Sequence, residues 1–117
     1  MNFQNETLPQ EAKKFGSTPT MTEETVVPGI LKKHLAPRGR FGYLVVEEGA
    51  LQFVWEDDAD NALDADPEHP IVIFPERFHH VTITGKVRFR VEFYDVGGID
   101  IDAALQQKGD RPGQDFI

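Results

Sequence analysis

The chain has 117 residues, enough for one domain with a real core but short for two; 39% of them are apolar, and 9 Phe supply bulky core material. Its formal charge of −8 works against general nucleic-acid binding, which rests on cations neutralising phosphates. With no cysteine, disulfide frameworks, zinc–thiolate sites, iron–sulfur clusters and thiol nucleophiles are excluded.

No charged start followed by an apolar run marks a signal peptide, and no stretch approaches the ~18 apolar residues of a membrane span. A cytoplasmic protein without a membrane partner is expected. Lys32, Lys33, Arg38 and Arg40 form the densest basic stretch and read as a solvated strand edge.

Residues 1–25 carry Pro9, Gly16 and Pro19 among Asn, Gln, Thr and Glu. Such a segment buries too little area to offset its ordering entropy alone, so an extended arm across the domain is expected, with room for one short strand. The domain itself is placed at residues 26–109. Val26-Val27 runs into the turn signal Pro28-Gly29, after which a strand is expected to resume through Leu35. Phe41-Gly42-Tyr43-Leu44-Val45-Val46 is apolar on both faces, as a buried strand is. Glu47-Glu48-Gly49 reads as its turn and Ala50-Leu51-Gln52-Phe53-Val54-Trp55 as the second strand of a hairpin, with Leu51, Phe53 and Trp55 on one face.

Residues 56–70 gather seven Asp or Glu, and a solvated acidic loop is expected there. A calcium loop is not, because the Gly for its sharp turn is missing and the spacing fails. Ile71-Val72-Ile73-Phe74 reads as a short strand stopped by Pro75, and residues 79–83 as the next. After the turn Thr84-Gly85-Lys86, Val87, Phe89, Val91 and Phe93 alternate with Arg88, Arg90 and Glu92, the pattern of a half-buried strand. Beyond Gly97-Gly98 a short helix is expected at residues 103–107, capped by Asp102 and ended by Gly109, then a loosely held tail at residues 110–117. Short strands, turn residues between them and one helix at most point to an all-β antiparallel sandwich or barrel, the way jelly rolls and cupins manage their edges.

The richest chemistry lies in Phe74-Pro75-Glu76-Arg77-Phe78-His79-His80. A Pro-containing turn that feeds a His at the start of a strand holds an imidazole at a barrel mouth, within reach of a metal or an anion. Period two puts His79 on the side of Val81 and Ile83, and His80 with Thr82 on the other. The direction of His34 stays open, because Leu31 and Leu35 occupy the face opposite it. With both rings inward, His34, His79 and Glu76 make a divalent-metal site with open positions, suited to zinc, iron, nickel or manganese. Otherwise His79 is a core histidine bonded to backbone and His34 a surface one. Tyr43, Phe53, Trp55 and Phe78 are the aromatic residues expected to line the ligand pocket, and His69, between Glu68 and Pro70, is expected in solvent. There is no phosphate loop, dinucleotide fingerprint or nucleophile elbow.

Three runs carry a family likeness: Val27-Pro28-Gly29-Ile30-Leu31-Lys32-Lys33-His34, then residues 42–53 from Gly42 to Phe53, then Phe74-Pro75-Glu76-Arg77-Phe78-His79. Over about residues 20–96 they resemble the TehB/YeaR-like domain. That resemblance implies a cupin-like fold, found alone or ahead of a methyltransferase in longer tellurite-resistance proteins, and it implies His34 and His79 as pocket residues with Glu76 beside them. The methyltransferase's Gly-rich motif is missing, so methyl transfer is not expected. Compared with metal-binding cupins, Gly42 stands about where the Glu of their first motif would be, and only His34 is nearby.

Three functions from different classes follow. The first is a module that binds a small molecule, an oxyanion or a metal under tellurite or oxyanion stress, with catalysis left open. The second is a metal-dependent dioxygenase or isomerase, since an open-coordinated metal binds oxygen or polarises a carbonyl. The third is a homodimeric interaction module that uses strand edges and the arm.

Overall fold

Period-two alternation decides most of what this chain buries. A computed structural model describes residues 2–96; the helix expected at 103–107 and the tail at 110–117 lie outside the described residues. Among the described residues, eight strands make two antiparallel sheets: β1 Lys13–Ser17, β2 Met21–Thr22, β3 Arg40–Gly49, β4 Leu51–Trp55, β5 Leu63–Ala65, β6 Ile71–Ile73, β7 His79–Thr82 and β8 Val87–Asp95. The larger sheet runs β1-β8-β3-β6 with β2 also on β8, and the smaller runs β5-β4-β7. Among the described residues no helix is long and apolar enough to cross a membrane.

One core joins the two sheets. Leu44 and Val46 from β3 and Val87, Phe89 and Val91 from β8 meet Leu51 and Phe53 from β4 and Val81 from β7, all at 2% exposure or less. Removing a side chain such as Phe53 from water contributes ~2–3 kcal/mol, so these positions fix which way each strand faces. On the other side of the larger sheet, Arg90 bridges Glu47 and Glu92 at 3.1 and 2.8 Å, and Lys14 approaches Glu92 at 3.4 Å.

The alternation read for Leu51, Phe53 and Trp55 and for Val87, Phe89 and Val91 matches the buried positions, whereas Phe93 is only partly buried and Glu92 is buried at 7% exposure under its ion pairs. Four expectations need correction. The strand expected through Leu35 is a 3-10 turn at Pro28–Leu31 followed by a single bridge at His34, since Pro28 has no N–H to give a ladder. β3 and β4 do not pair as a hairpin; they belong to different sheets, and the chain changes sheet at Gly49-Ala50. The acidic stretch is not all loop, because Glu56–Asn61 turns as 3-10 helix and β5 follows, pairing Leu51 with Ala65. The segment expected as an arm contributes two strands to β8, not one, and Met21 enters the core at 4% exposure.

Gly49 makes the change of sheet possible. Its φ of +79° suits glycine, and a Cβ there would lie 2.2 Å from the Lys86 carbonyl oxygen. Gly49→Ala is therefore expected to cost at least the ~1–3 kcal/mol of a strained backbone position. Gly85→Ala, where an added Cβ meets nothing within 4 Å, is expected to stay within about 0.5 kcal/mol of the parent. Urea unfolding of the two variants beside the parent measures the contrast.

Candidate functional site

A bridge between two segments 45 positions apart builds the site. His34 N–H donates to the His79 carbonyl at 3.0 Å, and His79 N–H donates to the His34 carbonyl at 2.8 Å. Residues that exchange both bonds in an antiparallel pair project their side chains to the same face. His79 opens β7 with its side chain inward, fully buried, as is Val81. The bridge therefore turns His34 the same way, and the two rings meet edge to face with centroids 4.3 Å apart. The question that alternation left open for His34 is answered by a contact outside any strand.

Neighbouring strands close the walls. Trp55 faces His79 across the β4–β7 ladder, and the rings sit 5.4 Å apart. Phe53 stacks on His79 at 5.0 Å with 26° between the planes. The Arg77 guanidinium lies 4.2 Å from the centre of the Trp55 ring and is held there by Asp57, to which its Nε and Nη2 donate at 2.7–3.0 Å. That hydrogen bonding, and then the Arg77 charge, hold the Asp57 carboxyl below its ordinary range.

The tautomers follow from the acceptors. His34 Nδ1 is 2.7 Å from the Lys32 carbonyl oxygen and His79 Nδ1 is 3.0 Å from the Arg77 carbonyl oxygen. A carbonyl only accepts, so each Nδ1 carries the proton and each neutral ring keeps its lone pair on Nε2. Both Nε2 atoms are buried, and that of His34 has no hydrogen-bond partner among the described residues. Burial lowers the His34 pKa from its ordinary 6.5; the Lys32 carbonyl opposes the fall, His80 adds to it and Glu56 opposes it. The ring is thus set to be neutral, with a lone pair to offer.

The other expected residues separate from this pair. Tyr43 projects from β3 opposite to the buried Gly42 and Leu44, onto the outer side of the larger sheet, where it meets Tyr94 at 6.2 Å. Phe78 is 45% exposed beneath the Lys33 ammonium, 4.7 Å from the ring centre. Glu76 is exposed, with φ of +61°, and its N–H donates to the Ala36 carbonyl at 2.8 Å. It does not join the histidines: among the described residues no group of three or more His, Cys, Asp or Glu is arranged to hold a metal ion. Of the expected set, then, His34, His79, Phe53 and Trp55 come together, and Tyr43, Phe78 and Glu76 do not.

Two contacts beside the rings were not legible in the sequence. His80 Nδ1 lies 2.7 Å from Glu56 Oε1, on the face of β7 away from the core, and Arg77 covers Trp55. Only the pairing register reveals them, since Val54 opposite His80 brings Glu56 alongside. His69 is not free in solvent but half-buried, stacked on Phe3 at 3.6 Å and bonded to Asp66 at 2.7 Å. A separate groove of about 380 Å³ beside Glu23, Glu48, Lys86 and Arg88 has none of the histidines in its walls.

The neutral ring of His34 has a consequence for stability. An unfolded His34 takes up a proton near pH 6.5, whereas the folded ring takes it up only at lower pH. Its contribution is complete above that value and is lost as the pH falls toward the folded pKa. Urea midpoints of chelator-treated chain are expected to drop between about pH 7.5 and 5.5, and to drop less in His34→Gln, as parallel denaturation series will measure.

Comparison with known proteins adds the family. The model of the TehB-like domain matches residues 16–91. Among curated proteins there is no significant match. A crystal structure of a protein from E. coli K12, a structural-genomics target, superposes with a TM-score of 0.71 at 23% identity, over 77% of this chain and 96% of that one. TehB from Haemophilus influenzae superposes with a TM-score of 0.69 at 21% identity, over 87% of this chain and 41% of that protein. At these identities the superpositions establish a shared fold.

Proposed function

The chain belongs to the TehB-like domain family, and from that membership and its paired imidazoles we propose that it is a cupin-like ligand-binding module whose ligand is held by His34 and His79. The observation that carries the reading is two inward rings 4.3 Å apart, each with Nδ1 committed to a backbone carbonyl. Metal-binding histidines are oriented in this way, with the second nitrogen tied to an acceptor so that the first presents its lone pair. The relation to TehB supports a setting of tellurite or oxyanion stress.

The donor set fits a divalent transition metal in part. Neutral imidazole nitrogens suit zinc, iron, nickel and manganese, and His34 Nε2 is a buried acceptor with no partner among the described residues. Two protein donors leave at least two positions for water or for an oxygen of the ligand. A metal bound there would supply Lewis acidity toward that oxygen. The chain's own part is to keep the His34 ring neutral, to tie both Nδ1 atoms to backbone carbonyls, to wall the rings with Phe53 and Trp55, and to hold Arg77 over Trp55 through Asp57. Glu76 is left out of the donor set because its side chain is exposed. No transfer of a methyl group is proposed.

Elemental analysis of untagged protein is the direct test. A transition metal near one per chain is expected in the parent, reduced in His34→Ala, lost in His79→Ala and kept in Glu76→Gln, with circular dichroism checking that each variant folds. Equal metal content in the parent and both histidine variants would remove the metal from the proposal.

A further inference from the structure

The two ends of the larger sheet are protected by different means. On β1, Lys13 and Lys14 are exposed and the register shifts between Lys14 and Gly16, so charge and a bulge blunt that edge. β6 at the other end reads Ile71-Val72-Ile73, with no charge and no proline, and its side chains are at most 1% exposed. Such an edge invites pairing with another strand.

A side chain covers it. Val72 N–H donates to Gln4 Oε1 at 2.7 Å, and the Val72 carbonyl accepts from Gln4 Nε2 at 2.9 Å. These are the two bonds that a residue of a neighbouring antiparallel strand would exchange with Val72. Gln4 is delivered by the residues before it. Asn2 exchanges bonds with Asp64 at 2.9 and 2.7 Å, and its side chain donates to the Asn61 and Ala62 carbonyls at 3.1 and 3.0 Å. Phe3 lies flat on His69.

We propose that the β6 edge is a self-association surface whose occupant is β6 of a second copy, and that residues 2–4 are the latch that keeps it closed. The fit is self-complementary. A two-fold axis at Val72 lets each copy offer the N–H and carbonyl that Gln4 otherwise supplies, the isologous arrangement of a two-fold dimer. Because β6 has three residues, the contact is weak and concentration-dependent. The charge of −8 on each copy opposes it, so it strengthens with salt.

Sedimentation equilibrium and amide hydrogen exchange test this on full-length chains: the parent, Gln4→Ala, and the triple variant Asn2→Ala/Phe3→Ala/Gln4→Ala. The parent is expected to keep the Val72 amide protected at every protein concentration. In the variants that amide is expected to exchange about tenfold faster in dilute solution, as fits loss of one net hydrogen bond. Concentrating the protein should then restore protection as the mass rises toward twofold, more steeply in high salt. A folded triple variant that keeps the mass of one chain throughout would overturn the proposal. So would Val72 exchange that the substitutions leave unchanged, whatever the mass of the parent.

Discussion

Everything in the candidate site depends on one pair of backbone hydrogen bonds, those between His34 and His79. Neither residue needs a long strand to hold it. His79 begins β7, and His34 touches the ladder at that single point after a 3-10 turn that Pro28 starts. Because bonded residues of an antiparallel pair share a face, the inward direction of His79 is imposed on His34. The following turn is fixed by a second bridge, Ala36 to Pro75, and by the bond from Glu76 N–H to the Ala36 carbonyl. The segment after the 3-10 turn is thus clamped to the segment before β7 at two places, and the histidines sit at one of them.

Placement of the rings then rests on sheet register. Trp55 opposite His79 and Phe53 opposite Val81 bring two aromatic faces to the buried imidazole. This gives a polar ring an apolar surround while its Nδ1 keeps a backbone partner. Arg77 shows how closely a surface interaction is joined to that interior. Its guanidinium packs on Trp55, its carbonyl receives the His79 Nδ1 proton, and Asp57 fixes its planar end.

Alternation was enough to read the buried Leu51, Phe53 and Trp55 of β4 and Val87, Phe89 and Val91 of β8 from the sequence, and to put His79 on the side of Val81. It could not assign strands to sheets. Phe41 to Trp55 has the pattern of a hairpin, and the close approach of Gly49 to the Lys86 carbonyl that separates its halves is a contact across the fold. β5 was hidden because Leu63 and Ala65 flank Asp64 inside an acidic stretch, too short for a period to show. Tyr43 was expected in the pocket for its aromatic ring, yet parity with Gly42 and Leu44 sends it outward. The covering of β6 by Gln4 left no trace in any local pattern, since a side chain stands in for a strand 68 positions away.

The acidic stretch after β4 places carboxylates beside the site. Glu56 and Asp57 engage His80 and Arg77 beside the paired rings, and Asp58, Asp60, Asp64, Asp66 and Glu68 follow in the sequence. On the larger sheet, by contrast, Lys14, Arg88 and Arg90 offset Glu47, Glu48 and Glu92. With a formal charge of −8, the chain as a whole draws small cations and turns free anions away, an influence that fades as ionic strength shortens its reach.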